Sequence, residues 1–179
     1  AKNGIIFENL WATPACTTTR GTLITGKHGV HSGISFVPAA MDATTMTLQR
    51  YLRSQSNSAD YQNAVIGKWH LGLGPIGGPN WNGKITHGPL DIGFKEAFIL
   101  PATGDRVPCV YIENDHVRNL DVHDPIEVNC FKKIGQQPTG KDNPELLKMK
   151  HSHGHDNTIV NGVGRIGFMA GGKQALWDD

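Results

Sequence analysis

The 179-residue chain carries 17 Lys plus Arg against 16 Asp plus Glu, so it has neither the basic footprint of a nucleic-acid binder nor an acidic tail. No apolar run approaches the ~20 residues that span a bilayer, which argues against a membrane helix. The composition is that of a globular chain, yet 22 Gly and 10 Pro, with intervals such as 72–89 that follow no helical or strand period, imply long loops that are functional or lie against absent partners.

In chain order, Gly4 to Leu10 is a short apolar and aromatic run that predicts a buried strand. It feeds Pro14-Ala-Cys-Thr-Thr-Thr-Arg-Gly-Thr-Leu-Ile-Thr-Gly26, in which Pro14 bars helix before Cys16. Arg20 to Lys27 is expected to be a short helix ended by Gly26 or Gly29, with Leu23 and Ile24 facing inward. Cys16 is then offered at a helix N-terminus, where unpaired N–H groups and the positive end of the dipole stabilise an anion and lower a thiol's pKa. Arg20, one turn along the same face, adds a planar cation suited to a tetrahedral oxyanion.

Thr44 to Ser54 is the clearest helix, capped by Thr44 or Thr45, with Met46, Leu48, Tyr51 and Leu52 at near-helical intervals. Ala64-Val65-Ile66 reads as a buried strand closing at Gly67, and helix followed by strand is half of an α/β repeat. Ligands in such sheets gather at the carboxyl ends of the strands, where Lys68 and His70 stand. Alternate residues share a face, so these two can converge on one site while Trp69 packs elsewhere. Lys supplies a positive point charge and His a donor or proton carrier, as a transferring group with charge on its oxygens requires.

Further along, Phe94 to Leu100 is expected to be a strand, Val107 to Asn119 a hairpin about Asn114-Asp115, and Ile126 to Phe131 another short strand. Arg106, Glu113, Arg118 and Glu127 are either lining of a substrate cleft or solvated loop charge. Cys109 and Cys130 are either a bridge or two reduced thiols, and neither count nor spacing decides. The tract His151-Ser-His-Gly-His-Asp156 has the composition of a transition-metal site, but also of a polar loop.

Two of these stretches carry a family resemblance. Cys16-x-x-x-Arg20 followed by Leu23-Ile-Thr-Gly26 resembles the signature of the type I sulfatases, in which the cysteine is oxidised to formylglycine. Gly67-Lys-Trp-His-Leu-Gly72 resembles that family's second signature, in the family's order and at a suitable gap. The likeness extends over the whole chain, from Phe7-Glu8-Asn9 to a tail, Asn157 to Asp179, similar to that of bacterial arylsulfatase-type members. It implies an α/β, alkaline-phosphatase-like domain with a central mixed sheet flanked by helices. Residues 1–179 are expected to be an internal, incomplete part of the catalytic domain.

The implied activity is hydrolysis of sulfate esters, carried by Cys16, Arg20, Lys68 and His70. The hydrated aldehyde at position 16 attacks sulfur, a general acid assists the leaving alcohol, and the bound sulfate is expelled as the second hydroxyl collapses. Arg20 would hold the diol, and Lys68 and His70 the sulfate and leaving oxygens. The implied cofactor is Ca²⁺, touched by the modified Cys16 but held by oxygen ligands outside this chain, so residues 1–179 alone are expected to be inactive. Asp156-Asn157 and Asp178-Asp179 lack the strand context of the family's ligand pairs.

The implied partners are a sulfate ester, a sulfated sugar among the candidates, and a formylglycine-generating enzyme; the implied location is periplasmic or secreted. Thr18 departs from the Pro, or Ala in some bacterial members, found within the stretch that converting enzymes read. Two other classes therefore stay open: a non-catalytic sulfatase-like binding protein, and a related phosphoryl-transfer hydrolase with an unmodified nucleophile.

Overall fold

The structure, a computed structural model, describes residues 2–37, 39–55, 57, 61–148 and 156–177. The first helix, α1 (Cys16–Thr25), starts directly after Pro14-Ala15 and stops at Gly26, whose positive φ lets its N–H close onto the Thr22 carbonyl. It begins four residues before the helix expected from the sequence, because Thr17 and Thr18 bury their side chains instead of fraying. The buried face is Thr17, Thr18 and Gly21; Leu23, expected to face inward, is 75% exposed. Helix and Ile34 approach closely at Gly21, where a Cβ would stand 3.0 Å from the Ile34 side chain and would oblige it to shift. One helical turn, α2 (Gly29–Ser32), follows.

The next helix, α3 (Leu48–Ser54), is shorter than Thr44 to Ser54. Asp42 captures the Thr44 N–H and hydroxyl in a turn, and Thr47 caps the helix by accepting from the Arg50 N–H. The Thr47 hydroxyl meanwhile donates to the Ile92 carbonyl at 2.6 Å, which ties α3 to the loop before the second strand. Met46, Leu48 and Tyr51 remain largely exposed despite their helical spacing.

The main sheet runs in the order β1-β2-β3-β4, from β1 (Ala64–Lys68) and β2 (Glu96–Leu100) to β3 (Ile112–Glu113) and β4 (His116–Val117). β1 and β2 are parallel, with Lys68 opposite Leu100, and the other pairings are antiparallel, so the sheet is mixed as expected. The β3–β4 hairpin turns at Asn114-Asp115, where Asn114 takes a positive φ and its side chain accepts from the Ala97 N–H. β5 (Glu127–Asn129) pairs with β8 (Phe168–Ala170), and β6 (Ile159–Val160) with β7 (Val163–Gly164).

The core gathers Trp69, Leu71, Ile85, Ile92, Phe94, Ile99, Val110 and Ile112. Trp69 meets Phe94 edge-on, and its indole N–H donates to the Gly72 carbonyl at 2.8 Å.

Two expectations about strands fail. Residues 4–10 form no strand among the described residues and lie exposed, with Ile5, Ile6, Phe7 and Leu10 all largely open, because no described strand lies beside them to accept a ladder. β1 exists but is not buried; it stands at the edge of the described sheet, and Ile66 is 79% exposed. Cys109 and Cys130 are free thiols, the first buried and the second exposed. The 151–155 part of the His-rich tract lies outside the described residues.

Candidate active site

The parallel ladder between β1 and β2 continues beyond Lys68: the Trp69 N–H donates to the Leu100 carbonyl and the His70 N–H to the Pro101 carbonyl, at 2.9 and 3.0 Å. Trp69 is thereby driven into the core and its two neighbours turn the other way. His70 takes a positive φ of 55°, a conformation uncommon for a non-glycine residue. It is held there by its carbonyl, which accepts from the fully buried Thr17 hydroxyl at 2.9 Å. The carbonyl of Lys68 accepts from Arg20 at 2.6 Å. Two side chains of α1 thus clamp the end of β1 to the first turns of the helix.

This clamp brings the four candidate residues together. Lys68 Nζ lies 3.2 Å and His70 Nδ1 3.1 Å from Cys16 Sγ, at the first residue of α1. The hydrogen bond from Lys68 is the largest influence on the Cys16 thiol and holds its pKa below the ordinary range; burial opposes it, while the Lys68 charge and the Thr17 N–H and hydroxyl reinforce it. Burial is also the main cause of the lowered His70 pKa, followed by Lys68, Arg106 and Arg20, with Asp105 opposing. His70 is therefore biased toward the neutral imidazole, able to pass a proton without adding a fourth cation.

Asp105 and Arg106 belong to the loop after β2, and the sequence reading did not place Asp105 at the site at all. Burial pushes the Asp105 carboxyl up, but the Thr103 hydroxyl, its own N–H, Arg106 and Arg165 outweigh it, so its pKa falls below the usual carboxylate range. The available signal is topological: parallel β1 and β2 end on the same side, so the segments following Lys68 and Leu100 must meet. Glu113 and Arg118 instead pair with each other across the exposed hairpin at 3.4 Å, and Glu127 is exposed on β5.

Around Cys16 and His70, apart from Asp105, the charged side chains named above are cations and donors. No group of three or more His, Cys, Asp or Glu among the described residues could hold a metal ion. A Ca²⁺ ion takes six to eight oxygen ligands, so these residues do not by themselves fit that ion.

A parallel strand pair here ends beside a thiol on a helix N-terminus, with Lys68 and His70 both within hydrogen-bond reach of that thiol, the layout of an α/β site at the carboxyl ends of its strands. Over 187 aligned residues the chain is 48% identical to the N-acetylgalactosamine-6-O-sulfatase of Bacteroides thetaiotaomicron, an alignment that takes in 100% of this chain and 35% of that protein. It is 30% identical over 118 residues to the mouse steryl-sulfatase, across 59% of this chain and 18% of that protein. A solved structure reported under the metabolism of multiple glycosaminoglycans by Bacteroides thetaiotaomicron matches with a TM-score of 0.81 and 48% identity, covering 91% of this chain and 34% of that one. No family model matches. The chain belongs to the sulfatases. It spans about a third of the length of the Bacteroides relative.

Proposed function

We propose that this chain carries the nucleophile side of a site that hydrolyses sulfate esters, with a 6-O-sulfated amino sugar as substrate class. The observation that carries the reading is the convergence of Lys68 Nζ and His70 Nδ1 on Cys16 Sγ at the start of α1. The substrate class rests on relatives that are named N-acetylgalactosamine-6-O-sulfatase and N-acetylglucosamine-6-O-sulfatase.

Conversion of Cys16 to formylglycine would supply a hydrated aldehyde, one hydroxyl as nucleophile and the other to release sulfate. The position fits that group, since a polar atom replacing Sγ meets donors already aimed at it. Lys68 holds negative charge developing between position 16 and the ester. Neutral His70 binds or moves a proton at Nδ1, and Arg20 keeps the backbone beneath Lys68 in place. Thr18 is buried, with its hydroxyl donating to the Ala15 carbonyl at 2.8 Å. The main chain around Cys16 is closed into a helical turn with Thr at the position where the family usually has Pro, or Ala in some bacterial members. The described residues offer no oxygen cage for Ca²⁺. A periplasmic or secreted location is part of the same proposal; no described helix is long and apolar enough to cross a membrane.

The test is the mass of the peptide carrying Cys16 from the full-length protein made beside a formylglycine-generating enzyme, together with turnover of an aryl sulfate and of 6-O-sulfated N-acetylgalactosamine. A loss of about 18 Da at Cys16 with turnover supports the reading. Turnover with an intact thiol overturns the formylglycine route, and conversion without turnover of either ester overturns the activity.

A further inference from the structure

Arg165, between β7 and β8, is a charged side chain buried to 2% exposure. Its Nε donates to Cys109 Sγ at 2.9 Å and its guanidinium lies over the Trp177 indole at 5.1 Å. The Cys109 thiol lies 3.3 Å from the Arg106 carbonyl, which accepts from it. The main chain beside Arg165 grips the same loop: the Ile166 N–H donates to the Asp105 carbonyl at 2.9 Å, and the Val107 N–H to the Ile166 carbonyl at 3.4 Å. At its other end the loop is fastened to the site itself, where Pro101 accepts from the His70 N–H.

Arg106 lies within the first of these fastenings, bridged to Ile166, with its Nε buried and without a partner among the described residues and its charge felt at His70. Beyond the buried Nε a guanidinium carries further N–H donors in a planar fork, and an ester's oxygens match that fork. We propose that Arg165 is a positioning residue: by clamping Cys109 and the backbone of Asp105 to Val107 it fixes Arg106 beside His70 as a donor to the substrate. This rests on the sulfate-ester reading above. Met keeps the length and apolar stem of Arg165 while removing Nε; because removing one partner of a buried charged contact is destabilising, thermal unfolding is run beside the kinetics.

The experiment compares wild type, Arg165→Met, Arg106→Ala and the double variant of the full-length protein. Two readouts are used: steady-state kinetics on the aryl sulfate and the 6-O-sulfated N-acetylgalactosamine, and amide hydrogen exchange. Arg165→Met is expected to raise KM about tenfold while leaving kcat within about threefold, as for the loss of an oriented binding contact. The double variant should be no worse than Arg106→Ala alone, because the effect of Arg165 passes through Arg106. The Val107 and Ile166 amides should exchange at least about tenfold faster in Arg165→Met, with the β1–β2 ladder unchanged.

Effects on KM that multiply in the double variant, or a loss confined to kcat, overturn the proposal. So does unchanged exchange at Val107 and Ile166. If wild type turns over neither ester, the sulfate-ester reading fails and the exchange result alone decides the clamp. Should Arg165→Met fail to fold, Arg165→Lys keeps the charge but loses the Nε donor; it is expected to show the same rise in KM, and a wild-type KM in that variant overturns the proposal.

Discussion

Replacing Lys68 by Ala removes one cation from the nucleophile and leaves the scaffold standing. The Lys68 backbone is fixed by its pairing with Leu100 in the parallel ladder and by Arg20 on its carbonyl, and neither depends on the side chain. Nζ stands 3.2 Å from Cys16 Sγ. A pair of unit charges about 4 Å apart interacts by roughly 1 kcal/mol in water and roughly 4 kcal/mol at an effective dielectric of 20, and half-buried Cys16 lies between these limits. At about 1.4 kcal/mol per factor of ten, the midrange corresponds to a loss of ~100-fold in kcat, similar to deleting one donor from an oxyanion hole. The assay is turnover of an aryl sulfate by the full-length, converted protein, with thermal unfolding run in parallel. A kcat within about threefold of wild type, at an unchanged unfolding midpoint, would remove Lys68 from the reaction and with it the electrostatic argument for the site.

Three further outcomes are expected. With position 16 unconverted, the pH profile of Cys16 alkylation should have its midpoint below the ordinary thiol range, and Lys68→Met should move it up. Because that folded-state pKa is depressed, the stability advantage of wild type over Cys16→Ala should be present above the ordinary thiol range and lost as pH falls through the lowered value; the opposite slope would refute the cause assigned to the shift. Thr17→Val should cost about 1–3 kcal/mol in denaturant unfolding by leaving the His70 carbonyl unpaired, whereas Thr17→Ser should restore most of it; equal losses would mean that packing, not the hydrogen bond, matters. Gly171→Ala should lower stability by about 3 kcal/mol or more, since φ is +68° there and a Cβ would stand 1.9 Å from the Pro125 carbonyl oxygen; a drop under about 1 kcal/mol would show that the turn beside β8 can relax.

What was legible in the chain was what depends on neighbours in sequence. The positions of Cys16 at a helix N-terminus, of Gly26 at the helix end, and of Lys68 and His70 flanking a buried Trp69 all follow from local backbone chemistry and a period of two. The same holds for β2 and the Asn114-Asp115 turn, whose short-range signals agree with the structure. What only the tertiary structure decided was burial and convergence across distance. The apolar run at residues 4–10 and the face of α3 have the patterns of core elements, but hydrophobicity creates a demand for a partner without providing one, and they lie exposed. The approach of Asp105 and Arg106 to His70 depends on parallel strands ending on one side, and the clamp by Arg165 depends on a chain crossing about 60 residues later in sequence. No periodicity encodes those contacts, because they are set by how the loops between strands close, not by which residues stand next to each other.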